Sequence, residues 1–180
     1  SRRPHHEQNF ICILEQQNPS LVQSMRTLVV YYSRTGTTKK VAESIAHELG
    51  ADIEEITENR GRSGILGFIR SGMEAYTRRI PKINKATHDP SQYALVIIGS
   101  PVWSYNMSSP VRAYIVQNRQ GFKAVGFFVT SSNSDVSPKV FSELESLAAL
   151  RPVSTLNLSA SQVNEDKYSE KLQTFLAGAR

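Results

Sequence analysis

The sequence predicts a three-layer α/β sandwich built on a parallel sheet. Two observations lead there. Five apolar or β-branched runs alternate with five helix-periodic stretches along 180 residues, and strict β/α alternation is the pattern of right-handed crossovers between parallel strands. The clearest runs, TLVVYY at 27–32 and YALVIIG at 93–99, are continuously apolar. Strands covered on both faces read this way. The length fits one domain with a full core, and no repeat or low-complexity tract interrupts it.

Taken in order, residues 1–24 read as an extension outside a core domain of 25–180. The arm is polar, with Pro4, Pro19 and His5-His6. Its one apolar cluster, Phe10–Leu14, suits an edge strand or the arm of a homodimer. Thr27–Tyr32 is the first strand. Val41, Ile45, Ala46 and Leu49 then share one helix face, and Gly50 is placed to stop that helix. Ala51–Thr57 is a weaker strand suited to a sheet edge. Ile65, Phe68, Ile69, Met73 and Tyr76 fall at helical spacing, predicting a helix over about Ser63–Arg79 that ends before Pro81. Tyr93–Gly99 is the third strand. Pro110 belongs in a first helical turn with Ser109 as N-cap, and that helix runs to about Asn118. Phe122–Thr130, Pro138–Leu150, Val153–Leu158 and Glu165–Ala177 complete the series as strand, helix, strand and helix.

The net charge is +5, and its location is informative. Between Glu58 and His88 there are seven cations and two anions, which is the whole excess. The protein is neutral with one basic segment, unlike a diffusely basic nucleic-acid binder. No apolar run approaches the roughly 18–20 residues that span a membrane, and the N-terminus lacks a signal-peptide pattern. The single cysteine, Cys12, excludes a disulfide or a cysteine metal site within one chain, and no other metal site is expected. A cytoplasmic protein is the simplest reading.

Ligands of such sheets bind beyond the carboxyl ends of the strands, where strand order reverses. Three loops leave those ends with unusual composition. The first is Ser33, Arg34, Thr35, Gly36, Thr37 and Thr38, at the start of a helix. It lacks the lysine of a nucleoside-triphosphate loop. Its hydroxyls and helix N–H groups suit a terminal monophosphate. The second, Ser100–Ser108, begins Ser100, Pro101, Val102, Trp103, Ser104, Tyr105, Asn106 and carries the sole tryptophan, an indole able to cover a flat ring. The third supplies Thr130, Ser131, Ser132, Asn133 and Asp135, polar groups for the edge of a heterocycle. Each has a plainer reading: a Ser/Thr-rich helix start, a packed aromatic, a capped turn. A strand order of 2-1-3-4-5 makes the three parent strands neighbours, so the loops meet. That convergence favours a ligand.

These residues resemble a known family. VVYYSRTGTTKKVAESIA at 29–46, VIIGSPVWSYNMSSPVRAYI at 96–115 and FFVTSSNSD at 127–135 are similar to flavodoxin-like FMN-binding proteins with a helical insert after strand 2. Ser33, Thr35, Gly36 and Thr38 occupy the defining positions of the family's phosphate loop, and the likeness covers the chain from Met25 onward. The resemblance implies the 2-1-3-4-5 order and FMN as cofactor. Residues 33–38 would hold its phosphate, and loops 100–107 and 130–135 would flank the isoalloxazine, with Trp103 against it. The flavin would supply the redox chemistry, so no catalytic side chain is implied.

Two departures matter. Thr37 replaces the family's common asparagine, at a position that can act through its backbone. Electron-shuttle flavodoxins are strongly acidic, whereas this chain has a basic segment suited to an anionic partner or acceptor. Three functions stay open. They are an NAD(P)H- or quinone-linked FMN oxidoreductase on a small-molecule acceptor, an electron carrier for a protein partner, and a flavin-free binding module.

Overall fold

An extended chain points successive side chains to opposite faces, so an uninterrupted apolar run must bury both. The structure, a computed structural model, describes residues 26–58, 80–132 and 138–180. The arm 1–24, the helix expected over 63–79 and loop residues 133–137 lie outside the described residues.

The strands are β1 (Thr27–Tyr31), β2 (Asp52–Glu55), β3 (Leu95–Trp103), β4 (Asn106–Met107), β5 (Val125–Ser131) and β6 (Pro152–Ser159). The helices are α1 (Thr37–Leu49), α2 (Ser109–Asn118), α3 (Pro138–Ala148), α4 (Ala160–Asn164) and α5 (Ser169–Ala179). The parallel strands lie in the order β2-β1-β3-β5-β6, which is the expected 2-1-3-4-5, and β4 pairs with β3 alone. Each central strand serves two cores. Leu28, Val30, Val96, Ile98, Phe127 and Val129 pack against Val111, Tyr114 and Ile115 of α2 and Val140 and Leu144 of α3. Val29, Tyr31, Ile97 and Phe128 pack against Val41 and Ile45 of α1 and Leu172, Phe175 and Leu176 of α5.

The elements depart from expectation in four places. β3 runs on through Pro101, whose parallel partner is Thr130, and then turns back into β4, with Trp103 opposite Asn106 and Val102 opposite Met107. A two-residue strand leaves no alternation to read. The N-cap of α2 is Ser108, one residue before the serine expected. Buried Ser108 is held within its own loop, its N–H donating to Ser100 Oγ at 3.0 Å. The closing helix starts at Ser169, four residues later than expected, and a separate short helix, α4, precedes it. Ser159 caps α4 through a capping box with Gln162, and the chain then breaks at Asp166, whose φ is +53°. Lys40 fixes that break, bonding Asp166 at 2.7 Å and the Val163 carbonyl at 3.0 Å. Finally, residues 83–88 run along the edge of β2. Asn84 N–H donates to the Thr57 carbonyl at 2.8 Å, and Glu54 accepts from His88 N–H at 2.9 Å. That segment covers polar groups an edge strand would otherwise expose.

Gly99 of β3 sits where no side chain fits: a Cβ there would lie 2.0 Å from Phe128 Cζ. Gly99→Ala is expected to cost about 1–3 kcal/mol in urea unfolding, as overpacked cores do, and Phe128→Leu in the same chain should recover part of it. At the opposite pole, Tyr93 donates to Asp52 at 2.7 Å. Burial first, then this bond, pushes its phenol up to about 12. An ordinary phenol titrates near 10, so the neutral Tyr93 stabilises the fold fully below about pH 10 and progressively less toward pH 12. Urea midpoints across that window should fall less steeply in Tyr93→Phe than in the parent.

Candidate functional site

Three loops leave the carboxyl ends of β1, β3 and β5, and because these strands are adjacent the loops face one cleft of about 340 Å³. That volume lies at the lower end of the ~300–1,000 Å³ typical of small-molecule sites. The lining comprises Arg34, Thr35, Thr37, Thr38 from the first loop, Pro101, Val102, Trp103, Ser104 from the second, Thr130, Ser131, Ser132 from the third, and Ala160.

The first wall is the start of α1. Gly36 is its N-cap, at φ +92° and ψ −15°, and no side chain caps the helix. Nothing lies within 4 Å of a Cβ built on Gly36. The glycine is therefore needed for its left-handed backbone and not for space. Ser33 Oγ accepts from Gly36 N–H at 3.1 Å, closing the loop on itself. The first-turn N–H groups that follow have no partner inside a helix, and they carry the positive end of its dipole. Thr35 and Thr37 hydroxyls stand 3.4 Å apart at the surface of the loop. Thr38 is buried, and its hydroxyl meets that of buried Thr130 at 2.8 Å, linking the first wall to the third.

The second wall is the β3–β4 hairpin. Trp103 is partly buried, and Tyr32, the residue just after β1, meets it edge-on with ring centroids 5.5 Å apart and planes at 89°. The indole is thus held from behind by a core aromatic while it borders the cleft. Ser104 and Tyr105 form the tip, at φ +47° and +62°. Both positive values match the two-residue turn that joins tightly twisted strands, and a non-glycine residue pays about 1–2 kcal/mol to adopt one. Asn106 Nδ2 donates to the Ser104 carbonyl at 2.7 Å and holds the tip.

The expected site residues therefore divide. Ser33 and Gly36 shape the first loop without lining the cleft. Ser100 is buried, its hydroxyl donating to the Pro101 carbonyl at 2.9 Å and lying 3.2 Å from that of Ser108. Asn106 braces the hairpin, and Tyr105 stands out in solvent, 73% exposed. Asn133 and Asp135 lie outside the described residues. Sequence reasoning missed Tyr32, whose signal was an aromatic directly before the first loop. It also missed Ala160, although the Ser159–Gln162 spacing is a legible helix start. Among the described residues no cluster of His, Cys, Asp or Glu suits a metal, and no helix is long and apolar enough to cross a membrane.

A family model described as flavodoxin matches residues 26–172. No curated protein matches the chain. Among solved structures, a flavoprotein from Lactobacillus acidophilus NCFM in complex with FMN is 26% identical; the match covers 79% of this chain and 98% of that one, with a TM-score of 0.65. The apo form of the flavoprotein from the same organism is 25% identical over 79% of this chain and 97% of that one, at a TM-score of 0.58. A protein from Bacteroides eggerthii DSM 20697 shares the fold at 22% identity, over 78% and 94% of the two chains, with a TM-score of 0.65.

Because Trp103 is the sole tryptophan, its packing can be watched directly. Tyr32→Leu removes an edge contact of the kind worth about 0.5–1.5 kcal/mol. It should shift the emission maximum and reduce the near-ultraviolet circular dichroism of the indole. Tyr32→Phe should leave both close to the parent. An unchanged spectrum in Tyr32→Leu would show that the contact does not orient the indole.

Proposed function

The chain belongs to the flavodoxin family, and on that premise we propose that it is an FMN-dependent oxidoreductase acting on a small quinone-like acceptor. The observation that carries the reading is one juxtaposition. A helix start with no side-chain cap, preceded by a hydroxyl loop, stands across a single cleft from the only tryptophan. An anion suits the first wall and a flat ring suits the second, and FMN joins the two chemistries in one molecule.

The donor set fits the cofactor. Backbone N–H groups at Thr37 and Thr38, with the Thr35 and Thr37 hydroxyls, would hold the phosphate as a helix N-terminus and hydroxyls hold anions elsewhere. Arg34 lines the same part of the cleft and adds a cation. Trp103 would cover the ring face, and Thr130, Ser131 and Ser132 would offer hydroxyl and backbone groups to its polar edge. The 2.8 Å bond between Thr38 and Thr130 fixes the spacing between the phosphate and ring-edge walls. Bound FMN supplies one- and two-electron chemistry at its ring, and the protein contributes binding, orientation and electrostatics.

The charge of +5 supports an anionic or neutral small acceptor over docking on a basic reductase. The concentration of that charge between residues 58 and 88 also supports a second reading, an electron carrier whose protein partner is acidic.

Thr35→Ala with Thr37→Ala tests the phosphate wall. Hydrogen bonds to a charged group contribute about 1.5–3 kcal/mol each, so FMN affinity should fall by roughly 10²–10⁴-fold, with far-ultraviolet circular dichroism unchanged. Equal affinity would remove this wall from the cofactor site. For the reaction, the FMN-loaded protein should oxidise NADPH steadily with a soluble quinone and no added reductase. Turnover that requires a separate reductase and a protein acceptor would move the chain to the carrier reading.

A further inference from the structure

Tyr105 is the residue of the site that neither the fold nor the cleft explains. It is 73% exposed and does not line the cleft. Its φ of +62° is one that Gly or Asn would adopt at far lower cost. Its neighbours hold it firmly all the same. Trp103 pairs with Asn106 and Val102 with Met107, and Asn106 clamps the Ser104 carbonyl at 2.7 Å. A large aromatic ring is thus kept in a costly backbone conformation, in water, on a braced tip whose preceding residues, Trp103 and Ser104, line the cleft. An observed outlier of this kind points toward function.

The geometry points to Tyr105 as a specificity-determining contact for the electron acceptor, a planar quinone stacked on its ring at the mouth of the cleft. The inference rests on the reading of the chain as an FMN oxidoreductase with a quinone-like acceptor. A lone aromatic face suits a flat ring, which stacks without directional bonds. The other exposed large apolar side chains among the described residues are Ile53 on β2, Ile80, and Val153 on β6, so among the described residues Tyr105 has no exposed large apolar neighbour on its own hairpin. The step balances without a further reagent: two electrons and two protons leave reduced FMN, the two quinone carbonyls become hydroxyls, and FMN returns to its oxidised form.

The test uses the FMN-loaded protein, reduced anaerobically with one equivalent of dithionite and mixed with a naphthoquinone. Flavin reoxidation is followed as quinone concentration rises. In Tyr105→Gly the half-saturating concentration should rise about tenfold, within the range measured for stacking of a flat base on an aromatic side chain. Tyr105→Phe should match the parent. FMN affinity should stay within twofold in both variants, and the thermal midpoint of Tyr105→Gly should be equal to the parent's or higher, because glycine relieves the positive φ. Unchanged saturation in Tyr105→Gly overturns the inference and leaves the FMN reading standing. Weakened FMN binding in that variant also overturns it, by moving Tyr105 into the cofactor site. A parent protein that binds no FMN removes the FMN reading itself.

Discussion

Everything in this molecule follows from the double burial of three strands. β1, β3 and β5 carry apolar side chains on both faces, so helices must cover the sheet on both sides. With both faces closed, a ligand can be met only beyond the strand ends. Parallel strands send all their outgoing loops to the same end, and the order β2-β1-β3-β5-β6 makes the three central strands neighbours. The cleft is thus a consequence of the core, and the loops decide only what it holds.

What the loops hold is set by which polar groups are left without a partner inside the chain. α4 satisfies its own start through Ser159 and Gln162. α1 does not: its N-cap is a glycine, and its threonines turn to one another and to Thr130 instead. Two helices that reach the cleft therefore treat the same physical requirement differently: α4, whose Ala160 lines it, caps its own start, and α1 leaves its N–H groups uncapped. The opposite wall shows a similar economy. Tyr32 uses its edge to steady Trp103, so an aromatic of the core lends rigidity to an aromatic of the site.

Much of this was legible in the sequence. Continuous apolar runs marked the central strands because burial on both faces permits nothing else, and Gly36 among hydroxyls marked the α1 start. The misses have physical reasons. The β3–β4 hairpin was hidden because Ser104-Tyr105 is not a combination that favours positive φ, and because a strand of two residues carries no period. The shift of the α2 cap by one residue came from Ser100, whose contacts with Ser108 no local pattern announces. The late start of the last helix follows a turn at Asp166 that bonds Lys40, more than a hundred residues away in sequence. The Tyr32–Trp103 contact is likewise a product of strand adjacency. Contacts between distant segments decided the last two, and the local geometry of one loop decided the first two.

We propose the uncapped start of α1 as the phosphate site for a flat redox cofactor. Parallel titrations of the apo-protein with FMN and with riboflavin, followed by quenching of flavin fluorescence, test it most directly, because the two ligands share the ring and differ in the phosphate. FMN should bind at least a hundredfold more tightly than riboflavin, the gain of several charge-assisted hydrogen bonds of about 1.5–3 kcal/mol each. Equal affinities would contradict it, as would the absence of binding by FMN.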